Sequence, residues 1–133
     1  MKDSDLAVNG APPLLAQQVC HELLFEQYWH AGELVAPANV GYFLFGDIWH
    51  RLTFDHGIIF WRQQTERPRP YSMPELNAET RIDNAGERLG LAGQRLTSCV
   101  ARLISDGSEV AFSFEGGRTL VLRNVGDQTS WLM

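Results

Sequence analysis

The chain has 133 residues and a formal net charge of −5 at pH 7, with 44% hydrophobic and 20% charged residues. These values are typical of a globular protein and exclude a disordered or fibrous one, so we treat residues 1–133 as a single domain. The apolar runs are much shorter than the roughly 20 residues that a transmembrane helix needs, so we expect no membrane span.

The first part of the chain is predicted to contain a helix. Residues 1–11 are small and polar, and we expect them to be disordered. After two prolines, apolar residues recur at the three- and four-residue spacing of an amphipathic helix. They include Leu15, Val19 and Leu23. This pattern predicts a helix over roughly residues 13–30, ended by Gly32.

The middle of the chain is predicted to form strands. Val40–Phe45, Ile48–Phe54 and Ile58–Trp61 are rich in aromatic and β-branched residues or alternate between apolar and polar positions. Asp55-His56-Gly57 separates the second and third strands and has the composition of a tight hairpin turn. Residues 64–88 contain three prolines and little periodicity, which predicts a long loop.

The last third is predicted to be a meander. Turn signals at Asp106-Gly107 and Gly116-Gly117 divide three strand candidates. These candidates are Gln94–Leu103, Val110–Phe114 and Thr119–Val125. Residues 89–103 also fit a helical face, but we favour a strand because the segment leads directly into the first turn. The elements together predict an α+β fold, with one N-terminal helix packed on a mainly antiparallel sheet of about six strands built from hairpins.

The negative charge lies in the first half of the sequence. Residues 1–60 contain two basic and seven acidic side chains, whereas residues 61–133 contain nine of each. An acidic surface repels phosphate and attracts cationic partners, so nucleic-acid binding is not expected. The same net charge is also usual for the solubility of a small domain. The carboxylates that we expect to form a partner-binding surface are Glu22, Glu26, Glu33, Asp47 and Asp55.

Trp49 has two possible roles in this sequence. Strand alternation sends Leu52 and Phe54 inward and places Trp49 on the opposite face, where it would be an anchor for a partner. Alternatively, the long loop or the helix covers that face and buries Trp49. Arg62, Arg67 and Arg69, in a segment that contains Pro68 and Pro70, could bind an anion or a partner, or could be neutralised by neighbouring glutamates.

The histidines of the first hairpin are candidates for acid–base catalysis or metal binding. His50 and His56 flank Asp55 near the first hairpin turn, and a His–Asp pair can orient an imidazole for acid–base work. No nucleophile motif, glycine-rich phosphate loop or metal-ligand spacing is present, so we assign no catalytic residue, no metal and no cofactor. A metal site at these histidines is not expected, because His50 should point inward with Leu52.

The cysteines and the N-terminus indicate the compartment. Cys20 and Cys99 lie among apolar neighbours, and we expect buried thiols in a reducing compartment. The first residues lack the positive start and apolar core of a signal peptide. We therefore expect a cytoplasmic protein.

The order of the elements resembles that of immunity proteins from bacterial polymorphic and contact-dependent toxin systems, and of related small bacterial proteins of unassigned function. The segments that carry the resemblance are Trp49–Trp61, Glu109–Arg123 and Thr129-Ser130-Trp131. The resemblance implies a binding protein whose partner is a toxin domain, and we expect a monomer or a homodimer.

Three functional hypotheses follow, and the third is a structural or self-associating module with an apolar patch that includes Trp49 and forms a dimer in solution. In the first, the carboxylates named above, with Trp49 as a possible anchor, neutralise a cationic toxin domain of the nuclease type through an acidic surface. The alternative is a small-ligand-binding or catalytic β-rich domain with His50, Asp55 and His56 at the rim of its pocket.

Overall fold

The structure, a computed structural model, describes residues 6–10 and 17–133, and this part of the chain is almost entirely β. It contains twelve strands in two sheets. The strands are β1 (Val8–Asn9), β2 (Val19–Cys20), β3 (Glu22–His30), β4 (Glu33–Phe45), β5 (Ile48–Asp55), β6 (Ile58–Gln64), β7 (Ser72–Met73), β8 (Ala78–Asp83), β9 (Gln94–Ile104), β10 (Gly107–Phe114), β11 (Thr119–Val125) and β12 (Gln128–Leu132). Helical structure in these ranges is limited to a 3-10 turn, Pro74–Leu76, and the four-residue α1, Ala85–Arg88. The α+β prediction is therefore wrong.

The predicted N-terminal helix is replaced by strands β2 and β3. Residues 13–16 of that prediction lie outside the described residues. In β3, Leu23 and Phe25 are buried in the core between the sheets, while Leu24 is buried on the opposite face. A strand covered on both faces loses the alternation of apolar and polar residues. Its apolar residues therefore also matched helical spacing, which explains the error.

The two sheets have simple, mainly antiparallel order. The large sheet has the order β1-β6-β5-β4-β3-β8-β7, and the small sheet has the order β12-β11-β10-β9-β2. Only the β1–β6 pair is parallel among the described strands. The predicted strands of residues 40–61 lie in β4, β5 and β6, and the predicted meander lies in β9, β10 and β11. The strand interpretation of residues 94–103 is confirmed by β9.

The main core lies between the sheets. The Phe43 ring of the large sheet stacks on the Phe112 ring of the small sheet with 4.3 Å between centroids, and Trp61 packs edge-on against Phe112 at 6.2 Å. Gly41 of β4 lies where the two sheets approach closely, and a larger residue there would displace the Leu122 side chain of the small sheet. A Cβ at Gly41 would lie 2.7 Å from Leu122 Cδ1.

A second buried cluster lies on the outer face of the large sheet. It consists of Leu24, Val40, Tyr42 and Trp49, with Leu44 and Ile82 packed against it. An apolar cluster on the outer face needs a cover, and the covering segment, residues 65–71, leads from β6 to β7 across this face.

The two segments expected to be irregular contain regular structure. Residues 64–88, predicted as a long loop, include β7, the 3-10 turn, β8 and α1. Of residues 1–11, expected to be disordered, residues 6–10 include β1, which pairs with β6. The remaining residues of that segment lie outside the described part of the chain.

Candidate functional site

The covering segment is attached to the large sheet at several points. The Arg67 guanidinium forms an ion pair with the Glu22 carboxylate of β3 at 2.5 Å. Pro68 is buried. Tyr71 N donates a hydrogen bond to Thr80 Oγ1 of β8 at 2.9 Å. The covering segment is therefore fixed across the large sheet by these contacts. Its exposed side chains, such as Arg69, remain accessible to a ligand.

An open pocket, which we call the outer pocket, lies beside the covering segment. Its volume is about 370 Å³. Three strands supply Glu26 from β3, Tyr42 from β4 and Arg51 from β5. The remaining lining residues are Gln64, Glu66, Arg67, Pro68, Arg69 and Tyr71. This volume is in the usual range of small-molecule sites, and the lining is unusually polar for one.

Two ionisable groups of the outer pocket have shifted pKa values. Burial raises the pKa of the Glu26 carboxyl, and the nearby Arg51 guanidinium lowers it by a smaller amount. Burial also raises the pKa of the Tyr42 hydroxyl, although a hydrogen bond from Arg51 opposes this. Burial in a pocket beside a charged partner is the environment in which functional ionisable groups are often found.

The outer pocket also collects arginines without ion pairs. In residues 6–10 and 17–133, neither Arg51 nor Arg69 has a carboxylate within ion-pair distance. Six other arginines do form such pairs. They are Arg67, Arg81, Arg88, Arg95, Arg102 and Arg123. The pocket therefore holds two guanidinium groups that form no direct ion pair within the described part of the chain.

A second cluster of polar residues, the turn cluster, lies where hairpin turns of the two sheets meet. His56 Nδ1 lies 2.6 Å from Asp55 Oδ1, and His56 Nε2 lies 3.4 Å from Asp127 Oδ2. Asp106 lines the same open cleft of about 600 Å³ as His56 and Asp127. The hydrogen bond to Asp55 and the charges of Asp127 and Asp55 raise the pKa of His56.

The turn cluster contains donor atoms suited to a divalent cation. Asp55, His56 and Asp127 each offer one such atom, and these atoms lie within 4.8 Å of one another. All three residues are exposed, and the carboxylates already contact the imidazole. The arrangement is equally explained as an ion-paired turn contact.

The structure separates the histidines that the sequence placed together. Asp55 and His56 are neighbours in the turn cluster, but His50 lies five residues earlier in β5, roughly 17 Å away along a strand. The His50 side chain is buried beside the Phe45 ring, and this burial lowers its pKa. His50 therefore does not share a rim with Asp55 and His56.

The five candidate carboxylates do not lie in one patch. Glu22 is paired with Arg67, and Glu26 lines the outer pocket. Glu33 begins the 13-residue strand β4, Asp47 lies beyond the other end of that strand in the β4–β5 turn, and Asp55 belongs to the turn cluster.

The candidate anchor Trp49 is buried rather than presented to a partner. Its side chain is only 3% exposed, and the Arg67 guanidinium lies 5.7 Å from the ring centroid. Of the two roles considered for Trp49, the structure supports the buried one.

Several site residues were missed by sequence reasoning. Asp127 belongs to the two-residue turn Gly126-Asp127, whose positive φ values of 56° and 59° suit a tight hairpin. The glycine between two strand patterns was a signal that could have identified this turn. Tyr42 carried no such signal, because its hydroxyl is placed by the neighbouring strand.

Burial raises the pKa of Cys20 to about 12 and of Cys99 to about 11, so neither thiol is a reactive nucleophile.

Comparisons with known proteins do not assign a family. A scan against protein-family models finds no matching family, and searches of the curated proteins and of the solved structures find no match either. Within the described ranges, no helix has the length and hydrophobicity that crossing a bilayer requires.

Proposed function

We propose that this protein is a ligand-binding β-domain whose binding site for a small polar molecule is the outer pocket. The observation that carries the proposal is a set of three charged side chains on its walls that form no direct ion pair among the residues that the structure describes. Arg51 and Arg69 have no ion-pair partner, and Glu26 has no hydrogen bond, among the residues that the structure describes. A bound molecule would satisfy the half-buried Arg51 and Glu26, since partly buried charges are normally paired, and the exposed Arg69 is available to contact it.

The proposal is tested by a substitution that fills the outer pocket, combined with a screen of molecules that does not assume a particular ligand class. Gln64 lines the pocket at the end of β6, and its neighbour Gln63 points to the opposite face of the strand. Small polar molecules of neutral, cationic and anionic type are screened by ligand-observed NMR. We expect Gln64→Trp to weaken binding about tenfold or more by filling the site, and Gln63→Trp to leave it unchanged.

The screen also has results that would reject the proposal. If a molecule binds Gln64→Trp as tightly as the wild type, its site lies outside the outer pocket. If no molecule in the screen binds the wild type, the outer pocket is not a binding site for small polar molecules. Backbone NMR spectra of both variants verify that they remain folded.

Neutralisation of a cationic toxin domain stays a prediction from the sequence. Cytoplasmic location also stays a proposal. The support for it is that Cys20 and Cys99 are both free thiols.

A further inference from the structure

We infer that the ligand of the outer pocket carries an oxyanion, a carboxylate or a phosphate, that Arg51 and Arg69 bind together, and that Glu26 takes up a proton when this anion binds. The inference rests on the proposed function, because it names the ligand class of the same site. The evidence for the inference is the arrangement of the charged side chains around the outer pocket.

The arginines provide the recognition. Arg51 comes from the sheet and Arg69 from the covering segment, so an anion between them would contact both walls. A guanidinium presents planar N–H donors that match the oxygens of carboxylates and phosphates. Arg67 contributes less, because its guanidinium is already paired with Glu22.

Glu26 determines the net charge of the pocket. The groups that face it are Tyr42 and Arg51 on the sheet, with Glu66, Arg69 and Tyr71 at the covering segment. Its register partner on β8 is the apolar Ile82. With Glu26 ionised, the two unpaired arginines face two carboxylates, Glu26 and Glu66. With Glu26 protonated, positive charge is in excess, which is the state that favours an anion.

The sign of the pH dependence follows. A bound anion repels the Glu26 carboxylate and shares its Arg51 partner, so the pKa of Glu26 is higher in the complex than in the free protein. Binding therefore takes up a proton. Affinity should rise as the pH falls from about 7 to about 5, by at most tenfold per pH unit for one proton.

The test uses small anions of known geometry on the full chain. Sulfate serves as the tetrahedral probe, oxalate as the planar probe and acetamide as the neutral one, each followed by NMR titration at constant ionic strength. We expect Arg69→Ala to weaken anion binding roughly fivefold or more. The matched control is Arg118→Ala, which removes an exposed arginine that also has no ion pair and lies outside the pocket, and it should change nothing.

The variant Glu26→Gln tests whether Glu26 takes up the proton when the anion binds. This variant should bind sulfate at least as tightly as the wild type at about pH 7 and should lose the pH dependence. Tighter binding of oxalate would assign a carboxylate ligand, and tighter binding of sulfate would assign a phosphate.

Other outcomes would overturn the inference. If acetamide perturbs the pocket resonances and the anions do not, the anion class is wrong while the proposed ligand site stands. If none of the three probes perturbs them, the anion inference fails, and the proposed ligand site is then decided by the wider screen with Gln64→Trp. Equal anion shifts at Arg118 and Arg69 would show unspecific binding, and an unchanged pH dependence in Glu26→Gln would reject the role of Glu26.

Discussion

Glu109 shows at the scale of one residue how a buried charge is accommodated. Its side chain is only 1% exposed, and its direct cross-strand neighbours are Arg102 on β9 and Arg123 on β11. Arg102 Nε donates to Glu109 Oε2 at 2.7 Å, and Arg123 Nη2 donates to Glu109 Oε1 at 2.9 Å. Burial raises the pKa of Glu109, but these hydrogen bonds and charges outweigh it and hold the pKa below its ordinary value.

We predict that Glu109→Gln lowers the free energy of unfolding by about 1–2 kcal/mol at neutral pH, because it removes hydrogen bonds to two charged groups. A depressed folded-state pKa stabilises the protein above the unfolded value, near 4.5, and this contribution is lost as the pH falls through the folded value. The difference from wild type should therefore shrink in acid. Urea unfolding at several pH values measures the difference in the free energy of unfolding between Glu109→Gln and the wild type. Glu115→Gln, at an exposed site, is the control, and an equal loss there would contradict the prediction.

The turn cluster shows at the scale of elements how the two sheets are joined at one end. The β5–β6 turn belongs to the large sheet and the β11–β12 turn to the small one. Asp127 Oδ1 accepts a hydrogen bond from His56 N at 2.8 Å, and Asn124 Oδ1 accepts one from Gly57 N at 3.0 Å. Protonation of His56 should strengthen this contact, because its ring lies between two carboxylates.

We predict that Asp127→Asn lowers the pKa of His56 toward its ordinary value, because one of the carboxylates that favour the charged ring is removed. Since the folded-state pKa is raised, the contact stabilises fully below about pH 6.5 and loses this contribution as the pH rises through the folded value. NMR titration of the His56 ring measures the shift. Asp47→Asn in the β4–β5 turn should leave it unchanged, and an unaltered His56 pKa in Asp127→Asn would refute the contact.

At the scale of the whole molecule, stability depends on the core between the sheets. Phe112 is fully buried and contacts both Phe43 and Trp61 of the opposite sheet. We predict that Phe112→Ala lowers the free energy of unfolding by about 3–5 kcal/mol, since it removes a large side chain and leaves a cavity. Urea unfolding compares it with Val100→Ala, at a 55% exposed position on β9, which should cost less than about 0.5 kcal/mol. Similar losses for the two variants would mean that the sheets are not held together at Phe112.

The outer pocket also belongs to the whole molecule, because no single segment of the chain contains it. Arg67 and Arg69 were identified in the sequence as a basic segment with two possible roles, anion binding or neutralisation. The structure assigns neutralisation to Arg67, through Glu22, and leaves Arg69 without an ion pair among the described residues. Glu22 lies 45 positions from Arg67 in the sequence, so spacing along the chain could not show which of the two arginines it pairs with.

The sequence by itself determined some of the hairpins and the faces of β5. Asp55-His56-Gly57 and Asp106-Gly107 were found because the conformations that close a turn depend on a few adjacent residues. Alternation in β5 correctly placed Trp49 opposite Leu52. Only the tertiary structure decided whether that face was covered, whether residues 19–30 were helix or strand, and that Asp127 meets His56 from 71 positions away. These outcomes depend on burial and on contacts between distant parts of the chain. The spacing of apolar residues in the sequence gives no information about such contacts.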